Sequence, residues 1–267
     1  MPKPFTLEPG ATCDLDKIDS RIEWEQHNKK TAYQQIEKNN IEMALLARKL
    51  YAENKRSLLL VLQAMDAAGK DSSVRCVTRG VNPRSFQVYS FKKPSERELE
   101  YDYLWRIHRQ VPRKGNVGIF NRSHYEDVLI VRVHNLVPEN VWSKRYSQIN
   151  HFEEMLQDSG TTIVKCYLHI SKEEQRERLQ ARMDDPDAHW KVNLADLEER
   201  KFWTKYREAY NAAITRTNTT WAPWHIVPAD RKWYRNLVIS ELLLNQLRAM
   251  DPQYPKSERD YRGIVVE

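Results

Sequence analysis

The sequence predicts an α/β protein in which helices cover both faces of a mostly parallel, five-stranded sheet, a three-layer α/β/α arrangement. Five short apolar segments typical of buried strands are each followed by a helical pattern. Two of these helices begin with a serine and a glutamate spaced as a capping box. The predicted strands span residues 58–64, 85–91, 116–121, 162–169 and 224–228. Ligands bind such sheets beyond the carboxyl ends of the strands, so polar residues at those ends are the first candidates for a site.

Residues 1–56, ahead of the first strand, are predicted to be a polar lead-in followed by helix. Ile41, Leu45, Leu46 and Leu50 are spaced for one face of that helix. This part of the chain carries no evident chemistry.

The segment QAMDAAGKDSS connects the first predicted strand to a predicted helix. It is close to the phosphate-binding pattern G-x-x-x-x-G-K-[ST], in which backbone N–H groups hold phosphate oxygens and the lysine neutralises their charge. Gly69 and Lys70 fit this pattern, whereas Ala64 replaces its first glycine and Asp71 its hydroxyl residue. Asp66 adds a second carboxylate, and carboxylates are ligands for Mg²⁺. The segment therefore predicts a phosphate cradle with a metal ion beside it.

A second polar cluster, in NVGIFNRSHYEDVLIVRV, follows the third predicted strand. The position equivalent to a Walker B aspartate is Asn121, so a metal must depend on other carboxylates. Arg122 suits a phosphate, and Glu126 and Asp127 suit a metal shell or acid/base work. The same string is also compatible with a solvent-exposed helix start, where both carboxylates would favour the helix dipole.

The two charged helical patterns around DDPDAHWKVN, within residues 171–217, contain fewer apolar residues than a helix that covers a sheet requires. They predict a lid that projects over the site and moves.

The formal charge of +6 and the pI of about 9.1 indicate a polyanionic partner, and leave nucleic acid, nucleotide and inorganic polyanion open. Three scattered cysteines suggest neither a disulfide framework nor a zinc site. With no apolar run long enough for a membrane span and no leader pattern, we expect a cytoplasmic protein without a membrane partner.

Together, QAMDAAGKDSS, FNRSHYEDVL and EEQRERLQARMDDPDAHWK resemble the polyphosphate kinase 2 family, over residues 40–250 in one collinear pass. The asparagine and histidine of FNRSHYED are similar to its class III. The resemblance implies a P-loop kinase core with a helical lid, and reversible transfer of phosphate from inorganic polyphosphate to AMP and ADP, which gives ADP and ATP. It also implies dependence on Mg²⁺, with Mn²⁺ as an alternative ion, and a homo-oligomer of two or four copies.

By matching positions, the resemblance also implies site residues. Catalytic roles fall to Asp66, Lys70, Asp71, Arg122, Glu126 and Asp127. Metal ligands are Asp66, Asp71 and Asp127. Nucleotide contacts are Asn121, Arg122, His124, Glu126, Asp127 and Arg132. The lid arginine is Arg178 or Arg182, and Ser72 stands where the family usually has glycine.

Polyphosphate carries about one negative charge per unit and has no bases, so only a track of cations and amide donors can hold it. The candidates for this track are Gly69, Lys70, Ser72, Ser73, Arg75, Lys92, Lys93, Arg178 and Arg182. Outside the phosphate cradle, these cations are also compatible with ordinary surface charges.

Two other functions remain open at this point. An ATP-dependent nucleoside monophosphate kinase would share the sheet and the lid, although Asp71 in place of serine or threonine argues against it. A basic nucleic-acid-binding module would fit the pI, but we expect no nucleic-acid partner because no cationic stripe is interleaved with aromatics. We divide the chain into a lead-in (1–56), a kinase core with its lid (57–250) and a tail (251–267).

Overall fold

The computed structural model describes residues 3–22, 28–257, 259–260 and 266, and a six-stranded sheet lies at its centre. The strands are β1 (Phe5–Thr6), β2 (Ser57–Ala64), β3 (Phe86–Ser90), β4 (Val117–Asn121), β5 (Thr161–His169) and β6 (Trp224–Pro228). Their order across the sheet is β1-β6-β5-β2-β4-β3. Strands β2 to β6 are parallel, and the two-residue β1 pairs antiparallel with β6. The five predicted strands and the mostly parallel sheet are confirmed, and β1 adds a sixth strand that the sequence did not predict.

The helices form two groups on the sheet. The helices in the described chain are α1 (Lys29–Glu53), α2 (Lys70–Val77), α3 (Glu96–Leu99), α4 (Trp105–His108), α5 (Ile130–Val133), α6 (Glu139–Asp158), α7 (Lys172–Asp184), α8 (Leu194–Lys201), α9 (Trp203–Thr217) and α10 (Lys232–Met250). Helices α1, α2 and α10 pack against one another, as do α5, α6 and α9. These groups and the sheet give the predicted three-layer α/β/α arrangement. In the described part of the chain, no helix combines the length and apolar character needed to cross a membrane.

Helix α1 packs along α10 and turns a different face to the core from the one that the sequence predicts. Met43, Ala47 and Leu50 are buried, whereas Ile41 and Leu45 are 63% and 56% exposed. The predicted face is therefore wrong at Ile41 and Leu45. The reason is that α1 packs along α10 through a stripe in which Met43 and Ala47, two positions after Ile41 and Leu45, are buried.

The two polar segments of the sequence meet at one edge of the sheet. Strand β2 is buried along its whole length and lies between β4 and β5. Residues 64–70 follow β2 and Arg122 follows β4, and the Arg122 N–H donates to the carbonyl of Leu62 at 3.0 Å. The phosphate loop, which we define as residues 64–70, thus lies beside the end of β4 at a switch point of the sheet.

The predicted lid divides into a largely exposed part and a part that is packed in the core. Helices α7 and α8 and the intervening 3-10 helix Pro186–Lys191 are largely exposed. By contrast, α9 buries Ala209, Tyr210, Ala213 and Ile214. We propose that the lid comprises residues 172–201 and that α9 belongs to the core.

The proposed boundaries near residues 56 and 250 fall in connections between elements. Asn54 ends α1 in a left-handed conformation, and Asp251 does the same for α10. Pro252 in the tail is buried and Tyr254 is exposed. Positions 258, 261–265 and 267 of the predicted tail lie outside the described residues.

A buried ionic network fixes the segment that follows β4. Lys165 on β5 lies 2.6 Å from Glu153 on α6 and also donates to the Tyr125 hydroxyl and the Thr217 carbonyl. Glu153 in turn accepts from Tyr125 at 2.8 Å and lies 3.1 Å from His124 Nε2. Lys165, Glu153, Tyr125 and His124 are all completely buried. Burial alone would raise the pKa of Glu153, but Lys165 and His124 hold it below its ordinary value.

We expect Lys165→Met to lower the free energy of unfolding by about 3–5 kcal/mol, because it leaves the Glu153 carboxylate buried without a cation. The matched control is Arg248→Met. Arg248 forms an ion pair with Glu42 at the same 2.6 Å separation, but both side chains are more than 40% exposed. That loss should be about 0–1 kcal/mol. Urea unfolding of the two variants measures both values, and equal losses would show that the buried network does not stabilise the fold.

Candidate active site

The phosphate loop is strained in a way that requires glycine at position 69. Gly69 has φ +106° and caps the N-terminus of α2 without a side chain, and Ala67 also has a positive φ of 61°. A Cβ atom at Gly69 would overlap Nη1 of Arg235. Because Arg235 is completely buried, it has no room to move aside. The loop can therefore form only with glycine at this position.

Lys70 lies across its own loop. Its side chain is 8% exposed, and Nζ donates to the carbonyls of Ala64 at 2.8 Å and Met65 at 3.3 Å. Burial lowers the pKa of Lys70, and the carboxylates of Asp66 and Glu126 oppose that effect. The charge of Lys70 is thus part of the same cluster as these carboxylates.

The loop and the end of β4 are joined by two side-chain contacts. Arg122, whose φ is +63°, donates through Nη2 to Asp66 Oδ1 at 2.8 Å. Asn121 donates through Nδ2 to Asp71 Oδ1. The structure therefore brings Asp66, Asp71, Asn121 and Arg122 together around Lys70, although the two motifs are about 50 residues apart in the chain.

Glu126 belongs to this cluster and Asp127 does not. Burial raises the pKa of Glu126, and Arg122 and Lys70 oppose that rise. Asp127 instead pairs with Arg145 at 2.9 Å on α6. Burial raises the pKa of Asp127 to about 6, although Arg145 lowers it.

The structure does not bring the predicted metal ligands together as a trio. In the described ranges, no three His, Cys, Asp or Glu side chains lie close enough to share a metal ion. Asp66 and Asp71 both belong to the phosphate-loop cluster, whereas Asp127 is held by Arg145. The predictions of Asp127 as a metal ligand and as a catalytic group are therefore not supported. The reason is that Glu126 and Asp127 are neighbours on a short 3-10 helix, His124–Val128, and point in different directions.

Two predicted nucleotide contacts are also used elsewhere. His124 is completely buried against Glu153, so it is not available to a ligand. Arg132 lies over the ring of Trp142 at 4.9 Å and donates to the Tyr146 hydroxyl at 3.3 Å. Both side chains therefore have partners within the protein.

Arg178, a candidate for the lid arginine, is a loop contact in the structure. Its Nη1 donates to the carbonyls of Ala67 and Ala68, and its Nη2 to those of Ala229 and Asp230. Its Nε donates to Glu174. Because all five N–H groups of the guanidinium have partners, the prediction that Arg178 holds polyphosphate is not supported. Arg182 remains the candidate.

The other candidates for the polyanion track divide into two groups. Arg75, Lys92 and Lys93 are exposed. The two serines are bound within the protein: the Ser72 hydroxyl contacts Arg235 at 2.7 Å, and the buried Ser73 donates to Asn236. Neither serine side chain is free for phosphate in this arrangement.

Two charged groups at the site are not predicted from the sequence. Asp196 on α8 lies 3.7 Å from Arg182, and its pKa is raised by burial and by the charge of Asp66. Arg235 on α10 contacts the phosphate loop directly. The available signal for Arg235 was its place in RKWYRN just after β6.

Comparison with known proteins places these features in a family. Residues 26–255 match the family model described as Polyphosphate kinase 2 (PPK2). An AMP/ADP-polyphosphate phosphotransferase from Meiothermus ruber is 49% identical over 99% of this chain and 100% of the relative. An ADP-polyphosphate phosphotransferase from Rhodopseudomonas palustris is 41% identical over 99% of this chain and 96% of the relative. The crystal structure of Polyphosphate Kinase 2 from Arthrobacter aurescens TC1 matches with a TM-score of 0.90 at 40% identity, over 96% of this chain and 95% of that one.

The raised pKa of Asp127 predicts how stability depends on pH. Between the ordinary value of 3.8 and about 6, the folded protein binds a proton that the unfolded chain does not. Stability from this group therefore increases as the pH falls through about 6. Relative to Asp127→Asn, we expect wild type to gain about 2 kcal/mol between pH 7.5 and pH 4.5, at about 1.4 kcal/mol per pH unit below the folded pKa.

Urea unfolding of both proteins at the two pH values gives this difference. The contributions of the other titrating groups cancel, because both proteins contain them. Asp158→Asn, at the exposed end of α6, is the control for the same chemical change. A constant difference between wild type and Asp127→Asn across this range would contradict the raised pKa.

Proposed function

The chain belongs to the polyphosphate kinase 2 family, and from this premise we propose that it transfers the terminal phosphate of inorganic polyphosphate to AMP and ADP, forming ADP and ATP. The observation that carries the proposal is the convergence of Asp66, Lys70 and Asp71 with Asn121 and Arg122 at one edge of the sheet. The names of the Meiothermus ruber and Rhodopseudomonas palustris relatives support the same donor and acceptors.

The N-terminus of α2 and the phosphate loop are suited to hold phosphate oxygens. The free N–H groups of the first turn and the helix dipole favour an anion there. Lys70 belongs to this first turn, and its ammonium group donates to two loop carbonyls. An incoming phosphate would compete for Lys70 with neutral carbonyl oxygens, and a charged acceptor forms the stronger hydrogen bond.

In the transfer step, an oxygen of the acceptor phosphate bonds to the terminal phosphorus of polyphosphate. The bond from that phosphorus to the next bridging oxygen breaks, and the shortened polyphosphate leaves with the electron pair. Such transfers require alignment and charge neutralisation rather than covalent help. Lys70 and Arg122 would supply the positive charge. Because the acceptor phosphate is already largely ionised near neutral pH, no strong base is needed.

Arg122 and Asp66 form a pair that a substrate can exchange. In the structure Arg122 neutralises Asp66 at 2.8 Å, and both side chains are partly exposed. A phosphate near Arg122 would compete with Asp66 for the guanidinium and so release the carboxylate. We propose that Glu126, which shares this cluster, and Asn121 lie on the nucleotide side.

The family supports a divalent metal ion, and the residues present fit one. Asp66 and Asp71 are two carboxylates beside the phosphate loop, and Mg²⁺ is usually held by one or two carboxylates together with substrate phosphates and water. We propose Mg²⁺, with Mn²⁺ as an alternative, held by Asp66 and Asp71. When bound, the ion would neutralise negative charge on the phosphate oxygens.

We propose a homo-oligomer of two or four copies in the cytoplasm. The exposed apolar pair Ile41 and Leu45, one turn apart on α1, supports a contact between copies. Three free cysteines support a reducing compartment. Light scattering of the purified protein tests the number of copies.

The proposed donor is tested by product analysis. We expect AMP and long-chain polyphosphate, with Mg²⁺ and without ATP, to give ADP and then ATP. Product formed only when ATP is the donor would instead identify an ATP-dependent nucleoside monophosphate kinase.

We expect Lys70→Met to lower kcat by about 100- to 1,000-fold, the usual cost of removing one group that stabilises charge in the transition state. The control is Lys114→Met, an exposed lysine in the turn before β4, which should keep normal turnover. The assay is ADP formation from AMP and polyphosphate, with circular dichroism to verify folding. Turnover within a few-fold of wild type for Lys70→Met would refute the role of its charge.

A further inference from the structure

A loop that binds phosphate through backbone N–H groups must keep its carbonyl oxygens away from the anion. The carbonyl oxygens carry partial negative charge, and buried ones need hydrogen-bond donors. The contacts that hold the carbonyls therefore decide which way the amides point.

Each carbonyl of the phosphate loop from Ala64 to Gly69 has a donor. Three helices supply the donors. From α2, Lys70 donates to the carbonyls of Ala64 and Met65, and Ser72 donates to that of Gly69. From α7, Gln175 donates to the carbonyl of Asp66 and Arg178 to those of Ala67 and Ala68, and from α10, Arg235 also donates to that of Ala68. The donors come from α2, from the lid helix α7 and from α10. The loop is thus held from behind by side chains of three helices.

Arg235 is the most unusual of these donors. It is completely buried, its Nη1 donates to the Ala68 carbonyl at 2.6 Å, and its Nη2 donates to the Ser72 hydroxyl at 2.7 Å. Its Nε and Nη2 also donate to the side-chain oxygen of Asn236. Over the described ranges of the chain, no carboxylate forms an ion pair with Arg235. The nearby Arg178 is a second positive charge, which repels the guanidinium of Arg235.

A buried cation without a carboxylate is costly to fold, so its position calls for a function that uses the charge. The guanidinium lies directly against Gly69, at the N-terminus of α2 where a phosphate would bind. Its charge is therefore left uncompensated until an anion arrives on the other side of the loop.

We propose that Arg235 is a positioning residue of the phosphate loop. It acts in two ways: its two N–H groups bridge the Ala68 carbonyl and the Ser72 hydroxyl and so fix the direction of the loop amides, and its buried charge raises the affinity of the loop for the polyphosphate donor. This inference rests on the function proposed above. It also gives Ser72 a role, because the Ser72 hydroxyl accepts from Arg235 and donates to the carbonyl of Gly69, and so links the two.

The two roles separate in different substitutions. Arg235→Met removes the charge and the bridge, and we expect the Kd for inorganic polyphosphate to rise by about tenfold or more while the KM for AMP changes less than about threefold. Arg235→Lys keeps the charge but cannot reach both acceptors in the planar geometry of arginine. We expect its Kd for polyphosphate to stay within about threefold of wild type and its kcat to fall by about tenfold.

Ser72→Ala changes an exposed residue, so we expect this variant to fold. We expect it to lower kcat by about threefold on its own and to have no further effect in the Arg235→Lys background, since the two residues act through one contact. Independent, multiplying effects would overturn the bridge. Should Arg235→Met fail to fold, Arg235→Lys and Ser72→Ala decide the proposal.

The Kd is measured by calorimetry with long-chain polyphosphate on folded protein, well below the unfolding temperature. A purely structural Arg235 would lower the unfolding temperature and leave the Kd unchanged, and that result would overturn the inference. Wild type that makes no ADP from AMP and polyphosphate would instead refute the proposed function. Wild type that is active, with equal Kd values for wild type and Arg235→Met, would refute the inference alone.

Discussion

The site depends on one constraint: the backbone of the phosphate loop must show its N–H groups to an anion and hide its carbonyls. The apolar strand β2 delivers the loop to the centre of the sheet edge, and α2 begins where the loop ends. Arg178 from α7 and Arg235 from α10 then hold the carbonyls from behind. The lid and the last helix are therefore not appendages of the core, since each supplies a side chain that shapes the loop.

Contacts within the protein keep the charged groups of the site in place without a substrate. Asp66 is paired with Arg122, Asp71 accepts from Asn121, and Lys70 lies on the carbonyls of its own loop. Lys70 is buried, Asp66 is half-buried and Asp71 is exposed, so the contact matters most for Lys70, whose ammonium group would otherwise be buried without a partner. Asn121 and the loop carbonyls are neutral partners, and a charged partner forms the stronger hydrogen bond, so we propose that a divalent cation replaces Asn121 at Asp71 and that a phosphate replaces the carbonyls at Lys70.

The strands were predictable because buried parallel strands appear as continuous apolar runs, and each of the five lies within one residue of its predicted bounds. Asp66, Lys70, Asp71, Asn121 and Arg122 were predictable as a group because both motifs follow parallel strands. Directions of individual side chains were not. Asp127 follows Glu126 on a short 3-10 helix yet pairs with α6, and His124 is drawn into the network of Lys165, because tertiary contacts decide these directions. For the same reason the sequence could not show that Arg178 would meet carbonyls instead of phosphates.

The position of the positive charge says more about the ligand than its sum does. A net charge of +6 suits any polyanion. A protein that grips a duplex backbone needs its cations on an exposed face, where they can reach successive phosphates. Here Lys70, Arg178 and Arg235 are buried around one loop, and among the residues that the structure describes no carboxylate is a hydrogen-bond partner of Lys70 or Arg235. We propose that such charges act through the short distance across that loop, and that they favour the end of an anionic chain that enters the cradle over one that passes along the surface.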